Sequence, residues 1–170
     1  MKFRLVAAVL IAGSGTVHTW GQSPSVTTGG INLKVDCSHK AEGKLPSINA
    51  ALKLLVQSAS NTVTVSGTCN ENVTIQGFDR LTLISTSGAT INDASGGQNP
   101  VLDIEDSHRV TLQGFTVNGG LDGIICANAS VCYLTSNTIQ SSLGQEGIAV
   151  SSGSKAFLTN NTVRNTALEG

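Results

Sequence analysis

Apolar residues recur along this chain in two different rhythms. Over residues 47–60 they fall at helical spacing. Ile48, Ala51, Leu52 and Leu55 occupy i, i+3, i+4 and i+7, with Asn49, Lys53 and Gln57 elsewhere on the turn. Ser47 precedes this run and is a good N-cap, able to accept from one of the helix's first free N–H groups. From residue 61 onward the rhythm changes to short apolar-x-apolar steps, the alternation of a strand with one buried face. The pattern predicts one helix followed by strands only.

The strands repeat. Windows 110–117, 132–139 and 156–163 align without gaps. A second block, Leu102/Ile104, Ile124/Cys126 and Ile148/Val150, repeats in phase with the first. Stacking the copies gives three columns of buried positions. The first starts at Val73/Ile75 and runs through that second block. The next runs Leu81/Leu83, Val110/Leu112, Cys132/Leu134 and Ala156/Leu158. The last runs Val63/Val65, Ala89/Ile91, Phe115/Val117, Asn137/Ile139 and Asn161/Val163. Three short strands per turn, with one turn taking roughly 22–24 residues, describe a coil of a stacked repeat protein. The chain has room for about four such coils. Equivalent residues then meet every ~4.8 Å, in parallel sheets.

The Asn-Thr-Ile/Val units at 137–139 and 161–163, with the Gly-Ile steps at 123–124 and 147–148, resemble the right-handed parallel β-helix proteins of the pectate-lyase-like superfamily. The resemblance covers about residues 47–170 and corresponds to an N-terminal part. It implies an all-β, right-handed parallel β-helix whose first coil is plugged by a capping α-helix, here 47–60, ahead of coils over 61–170. Such a plug has a physical reason, because the first coil otherwise exposes its apolar end and open sheet edges. The resemblance also implies a structural asparagine ladder through Asn137 and Asn161, with Phe115 in that slot one coil earlier. Glu169-Gly170 stands where Glu146-Gly147 stands one coil before, so the chain reads as truncated. Further C-terminal coils or a partner are then needed to cover the open end.

The first residues read as an address. Lys2 and Arg4 precede an apolar run over 5–12 and small residues up to Gly21, the pattern of a secretory signal peptide over 1–21. That run is far shorter than the ~20 residues needed to span a bilayer. Residues 22–46 follow as an extended segment, and the product is expected to be secreted, periplasmic or at the cell surface. Export makes Cys37, Cys69, Cys126 and Cys132 disulfide candidates, with three possible pairings. Proximity favours Cys126 with Cys132, leaving Cys37 with Cys69. Two buried free thiols remain the alternative for Cys126 and Cys132.

Composition narrows the partners. Charged residues make up only 12% of the chain and the net charge is −1, so no basic field exists to hold nucleic acid. Ser, Thr and Asn are abundant, yet the 39% hydrophobic content excludes a disordered linker.

Candidate chemistry is sparse. Enzymes of the resembling superfamily carry catalytic and Ca²⁺-binding acids on outward positions of one face, and Asp103, Glu105 and Asp106 form the one acidic cluster here. Later coils replace these acids, so no catalytic array repeats. If the protein is a polysaccharide lyase, hydrolase or epimerase, its catalytic residues are expected beyond residue 170. Tyr133 and Phe157 point outward in successive coils beside Gln113, Thr135 and Thr159, a surface suited to polysaccharide, to an overlying loop or to another subunit. The alternative is a non-catalytic adhesive solenoid. Outward threonines in the last column, Thr64, Thr90, Thr116, Thr138 and Thr162, suggest water ordering, but the second threonine per coil that such surfaces use is missing after Thr62.

Overall fold

The computed structural model describes residues 29–38, 42–144 and 146–167. The expected signal peptide, Glu169 and Gly170 lie outside them. The described elements are β1 (Asn32–Asp36), α1 (Ile48–Leu52), β2 (Asn61–Ser66), β3 (Thr68–Asn70), β4 (Val73–Gln76), β5 (Leu81–Ser85), β6 (Thr90–Asn92) and β7 (Leu102–Glu105). They continue with β8 (Val110–Gln113), β9 (Thr116–Asn118), β10 (Ile124–Ala127), β11 (Val131–Thr135), β12 (Thr138–Gln140), β13 (Ile148–Val150), β14 (Lys155–Thr159) and β15 (Thr162–Arg164).

Each strand pairs in parallel with its equivalent one coil away. The order is β1-β2-β5-β8-β11-β14 in a six-stranded sheet, β4-β7-β10-β13 in a four-stranded sheet and β3-β6-β9-β12-β15 in a five-stranded sheet. The chain is therefore a right-handed parallel β-helix of about four coils, three strands to the turn. Its core is made of ladders. Val63, Leu83, Leu112 and Leu134 stack in register and are fully buried, as are Ile75, Ile104 and Cys126 on the four-stranded sheet. Gly123 and Gly147 recur at one corner because the coils nearly touch there: a Cβ on Gly123 would meet the Gly147 carbonyl oxygen at 2.5 Å.

Two expectations change, the sheet of Val63/Val65 and the length of the helix, and the extended segment gains a partner. Val63 and Val65 belong to the six-stranded sheet, opposite Leu83 and Ser85, while Cys69 stands opposite Ile91. Alternation fixes which face of a strand is buried but not which sheet it joins. Gly67, at φ 81, turns the chain into the separate short strand β3. The segment read as extended contains β1, which pairs with β2 from Asn32↔Thr62 to Asp36↔Ser66. The helix is shorter than 47–60. Leu54 and Leu55 already donate to carbonyls only three residues back, those of Ala51 and Leu52, and turns follow. Asn61 collects the carbonyls of Val56 and Ala59 with its side-chain amide and leads the chain into β2.

The cap is tied down from several sides. Ser47 Oγ accepts from the Ala50 N–H, and the Glu71 carboxylate accepts from the N–H groups of Ile48 at 2.7 Å and Asn49 at 3.0 Å. Ile48, Ala51 and Leu52 plug the coil. Both cysteine pairs are bridged, Cys37–Cys69 beside the cap and Cys126–Cys132 across one corner.

Candidate functional site

Each sheet has one inward and one outward face, so candidate chemistry lies on three outer surfaces. On the four-stranded sheet the outward pairs are Thr74 with Asp103 and Gln76 with Glu105. The next coil sets Ile125 and Ala127 against those acids, and Ala149 follows Ile125. Thus the acids occupy one rung only. Burial, then the neighbouring Glu105 carboxylate, pushes the Asp103 carboxyl above its ordinary range. Asp103 Oδ1 is buried without a hydrogen-bond partner, consistent with that direction. Above this rung a cleft of about 610 Å³ opens between α1 and β4, with Lys53 and Gln57 on one wall and Thr74 and Gln76 on the other.

Asp103, Glu105 and Asp106 do not form a cation cradle among the described residues. Asp106 lies in the turn after β7 with φ 46, exposed, while the other two project from the strand. The acid–thiol group that does converge is Cys37, Cys69 and Glu71, whose sulfurs are bonded to each other and whose carboxylate holds the helix. Arg109, at the end of the same turn, pairs with Asp79 one coil earlier. That exposed pair lowers the Asp79 carboxyl through the Arg109 hydrogen bond and contributes little stability.

On the six-stranded sheet Thr111, Tyr133 and Phe157 stack in one outward row, and Gln113, Thr135 and Thr159 in the next. The two rings are 5.0 Å apart between centroids with planes 10° from parallel. Rings lying side by side in one plane cannot approach that closely, so they stand face to face, offset. Each has therefore given one face to the other. Phe157 is the more exposed, at 52% against 37% for Tyr133.

The five-stranded sheet carries two outward rows across five rungs. Thr68, Thr90, Thr116, Thr138 and Thr162 form one; Asn70, Asn92, Asn118, Gln140 and Arg164 form the other. Thr68 stands here in place of Thr64, which faces Ile84 on the six-stranded sheet.

The corners hold two side-chain ladders. Asn137 Oδ1 accepts from the Phe115 N–H and Asn161 Oδ1 from the Asn137 N–H, while their amides donate to the carbonyls of Leu112 and Leu134. The second ladder is of serine, and sequence reasoning missed it. Ser107, Ser130 and Ser154 accept in turn from the N–H groups of Phe78, Ser107 and Ser130. Ser107, Ser130 and Ser154 recur in step with the repeat, which was the available signal. Another missed residue is Asp93, beside the corner of an early coil. Burial opposes its ionisation, but the Ser95 hydroxyl, the Asn72 amide and the Ser95 and Gly97 N–H groups together hold its carboxyl far below the ordinary range.

Neither a family model nor a curated protein matches this sequence. Among solved structures, the chain is similar to a mutant pectin methylesterase in complex with a hexasaccharide. The TM-score is 0.65 and the identity 15%, over 77% of this chain and 48% of that one. The β-helix fold is shared. This chain spans about half of that enzyme's length. A pectin methylesterase from Aspergillus niger, in deglycosylated form, is 17% identical over 86% of this chain and 61% of its own, with a TM-score of 0.48.

Proposed function

We infer that this chain is the capped beginning of an exported β-helix that binds or processes extracellular polysaccharide. The observation that carries the reading is the aromatic pair Tyr133/Phe157 lying in register beside Gln113, Thr135 and Thr159. Such a surface offers an apolar ring face next to donors and acceptors for sugar hydroxyls. Because Tyr133 and Phe157 cover one face of each other, the sugar meets the outward edges of the stacked pair, of which Phe157 is the more exposed. The similar hexasaccharide-binding pectin methylesterase supports the choice of ligand class by analogy of fold. Two disulfides and the signal-like segment 1–21 support export. Further coils or a partner cover the exposed Val150 and Leu158 of the last coil.

A glycan-binding screen of the wild type against Tyr133→Ala/Phe157→Ala tests the surface. The variant is expected to lose binding, with Phe157→Ala alone costing more than Tyr133→Ala alone. Equal binding by wild type and double variant removes this surface. A second reading, a non-catalytic adhesive solenoid, is favoured by the single acidic rung: Asp103 and Glu105 are followed in register by Ile125 and Ala127.

A further inference from the structure

The outward face of the five-stranded sheet is the most regular surface of the molecule, and the reading above leaves it unused. Its amide row is already organised. Asn92 Nδ2 donates to Asn70 Oδ1 at 2.9 Å, and Asn118 Nδ2 to Asn92 Oδ1 at 3.3 Å. A primary amide has two N–H donors and two acceptor lone pairs. The row consumes one donor and one lone pair of Asn92, and the rest stay free. Each side chain is held by its neighbour, so little rotamer freedom remains to be lost on binding. None of the five threonine hydroxyls beside this row has a protein partner among the described residues. The first four rungs carry no ionisable group, and Arg164 brings the one charge at the last rung. Rungs ~4.8 Å apart give a strip about 19 Å long.

We propose that this face binds an uncharged, linear polysaccharide in extended ribbon form, laid along the coil axis with successive sugars meeting successive threonine–amide rungs. In an extended ribbon alternate sugars are turned over, so equivalent hydroxyls return at every second rung, and the threonine and amide rows offer donors and acceptors at each rung. Neutrality follows from the rows themselves, because an anionic polymer would gain a counter-charge only at Arg164. The proposal rests on the glycan-binding reading of the protein but assigns a different surface from Tyr133 and Phe157.

The test is depletion of the full chain from solution by microcrystalline cellulose and by chitin, with a polygalacturonate gel as the charged comparison. Thr116→Val/Thr138→Val keeps side-chain shape and β-branching but removes two adjacent hydroxyls. Its affinity for the neutral polymers is expected to fall about tenfold or more, with an unchanged circular dichroism spectrum. Asn118→Asp, which breaks the amide row and adds charge, is expected to weaken binding as well. Tyr133→Ala/Phe157→Ala is compared in the same assay, and Lys53→Ala, beside the cap and away from this face, is expected to bind as the wild type does. Equal depletion of wild type and the threonine variant overturns the proposal. If the loss instead follows the aromatic variant, the earlier surface stands and this one falls. No depletion by cellulose or chitin overturns this proposal, whereas the earlier reading falls only with the glycan-binding screen. Thermal hysteresis of the wild type without glycan depletion reassigns the face to ordered water and overturns the proposal too.

Discussion

Leu83 and Leu158 hold the same place in the six-stranded sheet, coils apart, yet Leu83 is fully buried and Leu158 is 54% exposed. The same contrast separates Ile75 from Val150 on the four-stranded sheet, where Val150 is 45% exposed. At the N-terminal end the ladders run up against α1 and β1. The helix fills the coil with Ile48, Ala51 and Leu52, its N–H groups are taken by Ser47 and Glu71, and Cys37–Cys69 bonds the preceding segment to β3. At the other end, among the described residues, no strand pairs beyond β13, β14 and β15, which border an apolar hollow between Ile148, Leu158 and Val163. A repeat therefore does not carry its own stability. A coil is stable to the extent that something lies on both sides of it.

The largest expected effect breaks the comparison directly. Leu112→Ala, in a buried rung, should cost about 2–5 kcal/mol in chemical denaturation, whereas Leu158→Ala should cost less than about 1 kcal/mol. Equal costs would mean that the last coil is covered in solution. Next come the disulfides. By chain-entropy arithmetic, the bridge spanning 32 residues, Cys37–Cys69, stabilises by about 4 kcal/mol, and the one spanning 6, Cys126–Cys132, by about 2 kcal/mol. Serine variants of each pair, unfolded by heat, should rank in that order. Glu71→Gln should then cost about 1–3 kcal/mol, because a neutral amide replaces a carboxylate that accepts from two helix N–H groups.

The smallest effect concerns pH. The Asp103 carboxyl is raised in the fold, so ionising it opposes folding. Stability from this group is fully present below the ordinary value of 3.8 and is lost as pH rises through the folded value. Asp103→Asn should therefore melt higher than wild type at pH 7, with the gain vanishing in acid. Asp93 has the opposite sign. Its contribution is present above 3.8 and is lost only as pH falls toward its depressed folded value. An Asp93→Asn variant should lose stability at pH 7 and converge with wild type at low pH.

Much of this was legible because the coil repeats in phase. Two apolar blocks recurring together left few ways to stack the chain, and the pairing of β7 through β15 follows that recurrence. The first coil was harder to read. Its strand β3 has Cys69 where later coils have aliphatic residues, and Val63-x-Val65 alternates just as strands of the other sheets do. The helix length was hidden for a related reason: Leu55 keeps helical spacing and is buried, but in a turn rather than a helix. Candidate sites were the least legible. Which residues face outward could be read from alternation, whereas the face-to-face stacking of Tyr133 on Phe157 and the unsatisfied Asp103 oxygen depend on side-chain packing between coils.

The corner ladders point in one direction. The N–H of Phe115 is satisfied by Asn137 and that of Asn137 by Asn161, just as Ser107 leans on Ser130 and Ser130 on Ser154. The coil of Ser130 and Asn137 thus borrows two acceptors from its successor and lends two to its predecessor. A duplicated coil that keeps one serine and one asparagine in place would dock with these two corner bonds already specified. Coil number can then change in whole units by simple gene duplication, without redesign of either neighbour, and length becomes the most readily inherited variable of the molecule.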